Sequence, residues 1–259
     1  MSTPSPSAST MTTPTPTGQT IKIGWLYGTK MNIYGDRGNV LALAQRARWR
    51  GISPEVVEIG LGEEIPDDID IFFFGGGQDQ EQIAVSRDLQ GEKGQHLKQL
   101  IEDGAAMLSI CGGYQLLGHE YRPHDAEPLP GIGLFDVTST AGPERFIGNV
   151  VIESDDWGTL VGFENHSGLT FLGEKATPMG TVAVGRGNNG KDGTEGTRYK
   201  NALGCYLHGA LLPKNPALAD WLIEAGLTRR YGSAALAPID NALEDHAKHT
   251  AIARAHKTR

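Results

Sequence analysis

Apolar and polar positions alternate through Ile21-Lys-Ile-Gly-Trp-Leu-Tyr27 and stop at Gly28, which predicts a first strand. From Asn39 to Arg50 the apolar and alanine positions recur at helical spacing, with Arg46, Arg48 and Arg50 around the polar side and Gly51 at the end. Ser53–Ile59 reads as a second strand. Asp70-Ile-Phe-Phe-Phe74 is a short apolar run closed by Gly75-Gly-Gly77, the pattern of a strand covered on both faces. Helices are predicted over 80–90 and 94–103, and a further buried strand over Ala105–Ile110. A turn at Cys111 then leads into a helix from Tyr114. Strands alternating with helices build a parallel, doubly wound sheet with right-handed crossovers. In such sheets the functional groups gather past the carboxyl ends of the strands, where Gly28, Gly75–Gly77 and Cys111 all fall.

From about Gly131 the pattern changes. Shorter extended pieces at 149–153, 160–164 and 181–185 are separated by glycine-rich turns, which predicts an added antiparallel portion. Strand character returns over Asn201–His208, a helix follows over 215–225, and an Ala-rich end carries another helix from about Asn241. Residues 1–20 are almost all Ser, Thr, Pro and small residues, the composition of a disordered tail, without the apolar segment of a signal peptide. The expected division is a tail over 1–20, one α/β domain over 21–232 and a helical extension over 233–259.

Composition narrows the function. With 259 residues the chain can bury a large core but leaves little room for a second, nucleotide-binding domain. A net charge of −8 lacks the basic footprint of a nucleic-acid binder. No apolar stretch is long enough to span a bilayer. Two cysteines are too few for a disulfide framework or a four-ligand zinc site, so a reduced, cytoplasmic protein without a metal is expected. Glycine, at 35 residues, is abundant and points to tight turns and close backbone approaches.

Candidate chemistry centres on Cys111, which follows a buried strand in Leu108-Ser-Ile-Cys-Gly-Gly-Tyr-Gln115. A cysteine at a sharp strand-to-helix turn is the thiol form of a nucleophile elbow, and the helix N-terminus behind it favours the thiolate. The Gly112 N–H and the peptides of Gly75–Gly77 can face a developing oxyanion. A cysteine nucleophile needs a base distant in sequence. His208, ending the run Cys205-Tyr-Leu-His, is the leading candidate and His166 its competitor. Cys205 reads as buried filler. Arg145, a lone arginine before an extended segment, can clamp a carboxylate. Gly185-Arg-Gly-Asn-Asn-Gly-Lys191 has the outline of a phosphate-binding loop, but Asp192 replaces the Ser/Thr that would hold Mg²⁺ and no helix follows. A mobile hairpin over 185–196 is expected instead.

Cys111-x-Gly-x-Gln115 with a downstream Tyr206-Leu-His-Gly209 resembles the class I (triad) glutamine amidotransferases, and Gly162-Phe-Glu-Asn-His-Ser-Gly-x-Thr170 resembles their cobyric-acid-synthase-like branch. Asn32–Asn39, Gly75–Asp79, Val151–Asp155 and Tyr206–Asn215 are similar to the GatD family, the glutaminase subunits of lipid II isoglutaminyl synthase. The resemblance covers about residues 21–225. It implies a class I glutamine amidotransferase fold, with Cys111 as nucleophile and His208 as base. Gly76, Gly77 and Gly112 would form the oxyanion hole, and Arg145 and Gln115 would hold L-glutamine. It further implies a heterodimer with a MurT-type, Mur-ligase-like subunit that carries ATP and Mg²⁺ and reaches lipid II. Where many class I members have His-x-Glu, this chain has His208-Gly-Ala210. The resemblance therefore places the third triad member on an aspartate of the partner, with Glu164 and Asp220 as local fallbacks and weak activity for the chain alone. Amidation of cobyrinate or another acceptor, a non-catalytic regulatory module, and a DJ-1-like cysteine hydrolase or redox sensor are the alternatives.

Overall fold

In the computed structural model, residues 15–258 are described. The chain runs through β1 (Thr20–Leu26), α1 (Arg37–Arg48), β2 (Ser53–Ile59), β3 (Ile71–Phe74), α2 (Asp79–Asp88), α3 (Glu92–Glu102), β4 (Ala106–Ile110) and α4 (Gly112–Leu117). Short strands β5 (Glu120–Arg122) and β6 (Leu129–Pro130) precede the long pair β7 (Val137–Ser154) and β8 (Gly158–Leu172). Then come β9 (Gly180–Val184), β10 (Thr194–Glu195), β11 (Thr197–Tyr199), β12 (Ala202–Cys205), α5 (Pro216–Tyr231) and α6 (Ala242–Lys257). Most of the disordered tail expected over 1–20 lies outside the described residues. Of its end, Thr17 donates to the Gly51 carbonyl at 3.0 Å and Thr20 opens β1.

The first sheet has the order β11-β12-β4-β3-β1-β2, parallel except for β11. Every residue of β3 and β4 is buried, as expected for inner strands with helices on both faces. The second sheet, β10-β9-β7-β5-β6 with β8 on β7, is mainly antiparallel. Short pieces were expected over 149–153 and 160–164. They are instead the inner parts of one long β7–β8 hairpin, whose register shifts between Ala141 and Phe146. Gly142 and Pro143 hide this continuity in the sequence, because both weaken a strand pattern while being at home in a bulge.

At the far end, α5 begins on Pro216 and stops at Gly232 with φ 80°, a left-handed C-terminal stop that suits glycine. The last helix, α6, packs against β7 and β8, and Ala255 is buried with Val151, Val161 and Val184. Arg46 of α1, itself buried, bonds Asp220 of α5 at 2.7 and 2.8 Å and Asn241 at 2.9 Å, which links the helices at the start of α6.

Candidate active site

Four neighbouring strands of the parallel sheet deliver the site. Asp36 follows β1, Gly75–Gly77 follow β3, Cys111 follows β4 and His208 follows β12, so one sheet edge gathers groups from distant parts of the chain. Cys111 has φ 52° and ψ −108°, a strained conformation for a residue with a Cβ. Such strain costs ~1–3 kcal/mol and persists because the surroundings enforce it. Its N–H is held by the Cys205 carbonyl at 2.8 Å, the Gly113 N–H bonds the Gly75 carbonyl at 3.2 Å, and a Cβ at Gly113 would lie 2.7 Å from the Phe74 carbonyl oxygen. The elbow thus depends on the bare Gly113.

His208 is fully buried. Its backbone pairs in both directions with Phe163 of β8, which joins the two sheets at the base. Nδ1 lies 3.1 Å from Asp36 Oδ1. Nε2 is buried without a hydrogen-bond partner among the described residues, and the Cys111 sulfur is the neighbour whose charge acts most strongly on the ring. Burial alone would lower the imidazole; the Cys111 charge and the Asp36 contact outweigh it and raise the group to about 10. The arrangement therefore favours a protonated imidazole beside the Cys111 sulfur. After the base, Gly209 and Ala210 both have positive φ, and Lys214 Nζ bonds their carbonyls at 2.7 and 3.1 Å.

Among the described residues, a carboxylate that the sequence did not single out, Asp36, lies beside His208. Asp36 lies 172 positions away and outside any His-x-Glu spacing. Neither local fallback reaches the base. Asp220 is engaged by Arg46 and Arg50, and Glu164 accepts the N–H groups of Arg186 and Gly187 at 3.0–3.1 Å.

The expected oxyanion set also changes. The Gly76 N–H is donated to Asp36 Oδ2 at 2.9 Å, so it is not available to a substrate. Gly112 occupies the first helical position, where an N–H has no acceptor within the helix. Gly77 lines the cavity in front of Cys111, and no acceptor for its N–H occurs among the described residues. Of the three glycines expected to face an oxyanion, Gly77 and Gly112 thus have N–H groups without an acceptor among the described residues.

That cavity, about 430 Å³, is lined by Tyr34, Gly77, Gln82, Cys111, Gln115, Arg145 and the 165–168 stretch, among others. Arg145 sits in the β7 bulge, its Nε bonded to Asn165 Oδ1 at 2.6 Å and its Nη2 to Tyr34 Oη at 3.0 Å. Gln115 is buried between Gln82, which donates to its Oε1 at 2.8 Å, and Tyr206, whose hydroxyl accepts from its Nε2 at 3.1 Å. Its amide is thus committed to the cavity floor.

Each residue of the 162–166 motif has a placement. A Cβ on Gly162 would meet Leu207 Cβ at 2.8 Å, Phe163 pairs with the base and Asn165 holds Arg145. Glu164 clamps the 185–187 turn, and His166 stacks on Tyr206 at 3.6 Å. His166 is thereby a buried support rather than a second base. The segment expected as a mobile hairpin is built in: Asn188 and Asn189 are buried, and the loop amides at 186 and 187 cradle the chain's own Glu164 carboxylate. Cys205 is buried, and burial pushes its thiol up, as suits filler.

A thiol on a strained elbow close to a buried imidazole, at the edge of a doubly wound sheet, has the residues that cysteine-dependent acyl transfer needs. The model for the CobB/CobQ-like glutamine amidotransferase domain matches residues 22–216, and the chain belongs to that family. It is 46% identical over 229 residues to the lipid II isoglutaminyl synthase (glutamine-hydrolyzing) subunit GatD of Staphylococcus aureus, covering 88% of this chain and 93% of that one. The Streptococcus pneumoniae subunit of the same name is 40% identical over 215 residues, 82% of each chain. Among solved structures, PurLQS from Thermotoga maritima aligns with a TM-score of 0.55 at 13% identity, covering 81% of this chain and 98% of that one. A glutamine amidotransferase aligns at 0.52 and 15%, covering 78% and 98%. These two likenesses speak for the fold. Among the described residues, no helix is long and apolar enough to cross a membrane.

Proposed function

We propose that this chain is the glutaminase subunit of a two-subunit, cytoplasmic ligase that amidates the α-carboxyl of D-glutamate in the lipid II stem peptide. The single observation that carries the chemistry is the Cys111 elbow beside a buried, raised-pKa His208 at a cavity holding Arg145. The Cys111 thiolate attacks the glutamine side-chain amide carbon, and the oxyanion forms against the N–H groups of Gly77 and Gly112. His208 gives its proton to the leaving nitrogen, releasing ammonia and leaving a γ-glutamyl thioester. The base then takes a proton from water, which attacks the thioester and frees glutamate. Arg145 holds the substrate α-carboxylate, and Gln115 shapes the floor beneath it.

Ammonia must then meet an activated acceptor. This subunit needs no cofactor for hydrolysis, and ATP and Mg²⁺ act in a MurT-type, Mur-ligase-like partner, giving D-isoglutamine. The name shared by the two relatives, matched over more than four-fifths of their length, supports the acceptor. The test supplies the complex with amide-labelled glutamine, ATP and lipid II. Label is expected in the α-carboxamide of the stem peptide; label that stays in free ammonia, or enters a different acceptor offered beside lipid II, overturns the acceptor reading.

A further inference from the structure

We propose that Gln82 is a specificity residue of this site: its side-chain carbonyl receives the α-ammonium of the substrate, so that the cavity selects glutamine as a free amino acid. A zwitterionic substrate presents a carboxylate and an ammonium, and a cavity that takes both from water must meet both. Arg145 supplies a cation to the cavity, while among the described residues no carboxylate lines it. The ammonium therefore falls to a neutral acceptor. Gln82 stands on α2, is 1% exposed and lines the cavity in front of Cys111. Its Nε2 is used on Gln115 Oε1 at 2.8 Å, and Oε1, its remaining polar atom, meets no donor among the described residues. Gln78 and Gln80 line the same cavity but are exposed, so their amides are not fixed. Asn165 Oδ1 and Tyr34 Oη already serve Arg145.

A run of buried side chains sets which way that amide faces. Gln115 Nε2 donates to Tyr206 Oη at 3.1 Å. Tyr206 has one proton, and having accepted from Gln115 it gives that proton to Thr170 Oγ1 at 2.7 Å. Thr170 in turn gives its own to Ser139 Oγ, also at 2.7 Å, across the β7–β8 pair. All five side chains are buried. With this direction of donation, a nitrogen of Gln82 is turned onto Gln115 and its oxygen is left for the cavity. The opposite direction would turn an N–H toward the substrate, which suits an anion and not an ammonium. Two glycines make room for the pair of amides. A Cβ on Gly112 would stand 2.5 Å from Gln82 Nε2, and one on Gly168 would collide with Gln115 Nε2.

This inference rests on the glutaminase reading, and its test separates their failures. The full chain with its ligase partner is given L-glutamine and, separately, glutaramate, which keeps the carboxylate and the side-chain amide and lacks the α-amino group. Ammonia release is measured for the wild type and for Gln82→Met, whose side chain keeps the length and loses both polar atoms. The wild type should prefer glutamine by ~10–100-fold in kcat/KM, the size of one bond to a charged group. In Gln82→Met, kcat/KM for glutamine should fall by about 10–100-fold while that for glutaramate changes less than about threefold. Equal losses on both compounds would show that Gln82 merely supports Gln115, and overturn the inference. Should Gln82→Met not fold, Gln82→Glu decides: it keeps the size and the acceptor, so the preference for glutamine should persist, and its loss overturns the inference. Ammonia from both compounds alike in the wild type leaves the glutaminase reading standing and removes this one. Ammonia from neither sinks the glutaminase reading, and this inference with it.

Discussion

The two sheets meet at the cavity and contribute different things. On the parallel sheet, the candidate reactive groups stand at strand ends, on strained or glycine-bare backbone, with buried titratable side chains close together: Cys111, His208 and Asp36. The antiparallel sheet supplies the wall. Its β7–β8 hairpin carries Arg145 in a bulge, Asn165 to hold it, and Glu164 and His166 to brace what lies behind. The same difference separates reaction from recognition. Strand ends offer unpaired peptide groups and short loops suited to fixed reactive geometry, whereas a long hairpin offers alternating side chains suited to shape and charge. Changes on the first sheet should therefore act on kcat, and changes on the second on KM or on stability.

The largest effect should come from Cys111→Ala, which removes the nucleophile. Ammonia release from glutamine should fall by ~10⁴-fold or more with the fold retained, as read in a coupled ammonia assay. Undiminished release would break the assignment of chemistry to the parallel sheet. Next, Arg145→Ala should raise KM for glutamine by about 10–100-fold and leave kcat within a few-fold, since a bond to a charged group contributes ~1.5–3 kcal/mol. A loss confined to kcat would show that the hairpin takes part in the reaction itself.

Smaller again, Glu164→Gln weakens a charged acceptor for three N–H contacts. Thermal unfolding should report a loss of ~1–3 kcal/mol, with glutamine kinetics changed less than by Arg145→Ala. The smallest effect concerns pH. His208 is raised in the fold from 6.5 to about 10, so its pairing contributes fully below pH 6.5 and is lost as pH rises through about 10. Melting temperature should therefore decline across that window. Cys111→Ala removes the neighbour that does most to raise the imidazole, so its decline should be shallower; equal slopes in the two proteins would deny that Cys111 raises His208.

Much of the parallel sheet was legible because each of its signals is local. A run such as Ile71–Phe74 closed by glycines can be little else than a buried strand, and Cys111 before two glycines declares a turn. The hairpin was harder to read. Gly142 and Pro143 break an alternation that the backbone carries through with a bulge, so one long strand looked like short pieces. The 185–196 segment misled in another way: its glycines suggest a mobile hairpin, but its amides hold the chain's own Glu164, and Asn188 and Asn189 are buried.

The sequence by itself determined the strand-end elbow and the kind of fold, since these follow from residue type, spacing and short-range backbone preference, and its resemblance to the amidotransferases pointed to Cys111 and His208. Tertiary structure decided which carboxylate of this chain lies against His208, which glycine N–H is already taken, and what surrounds Arg145. Asp36, Gly76 and His208 lie on three different loops, and nothing in their separate neighbourhoods announces a shared hydrogen-bond path. The pairing of buried donors and acceptors is settled by which strand ends lie side by side, and that order, β12-β4-β3-β1, exists only once the sheet has formed.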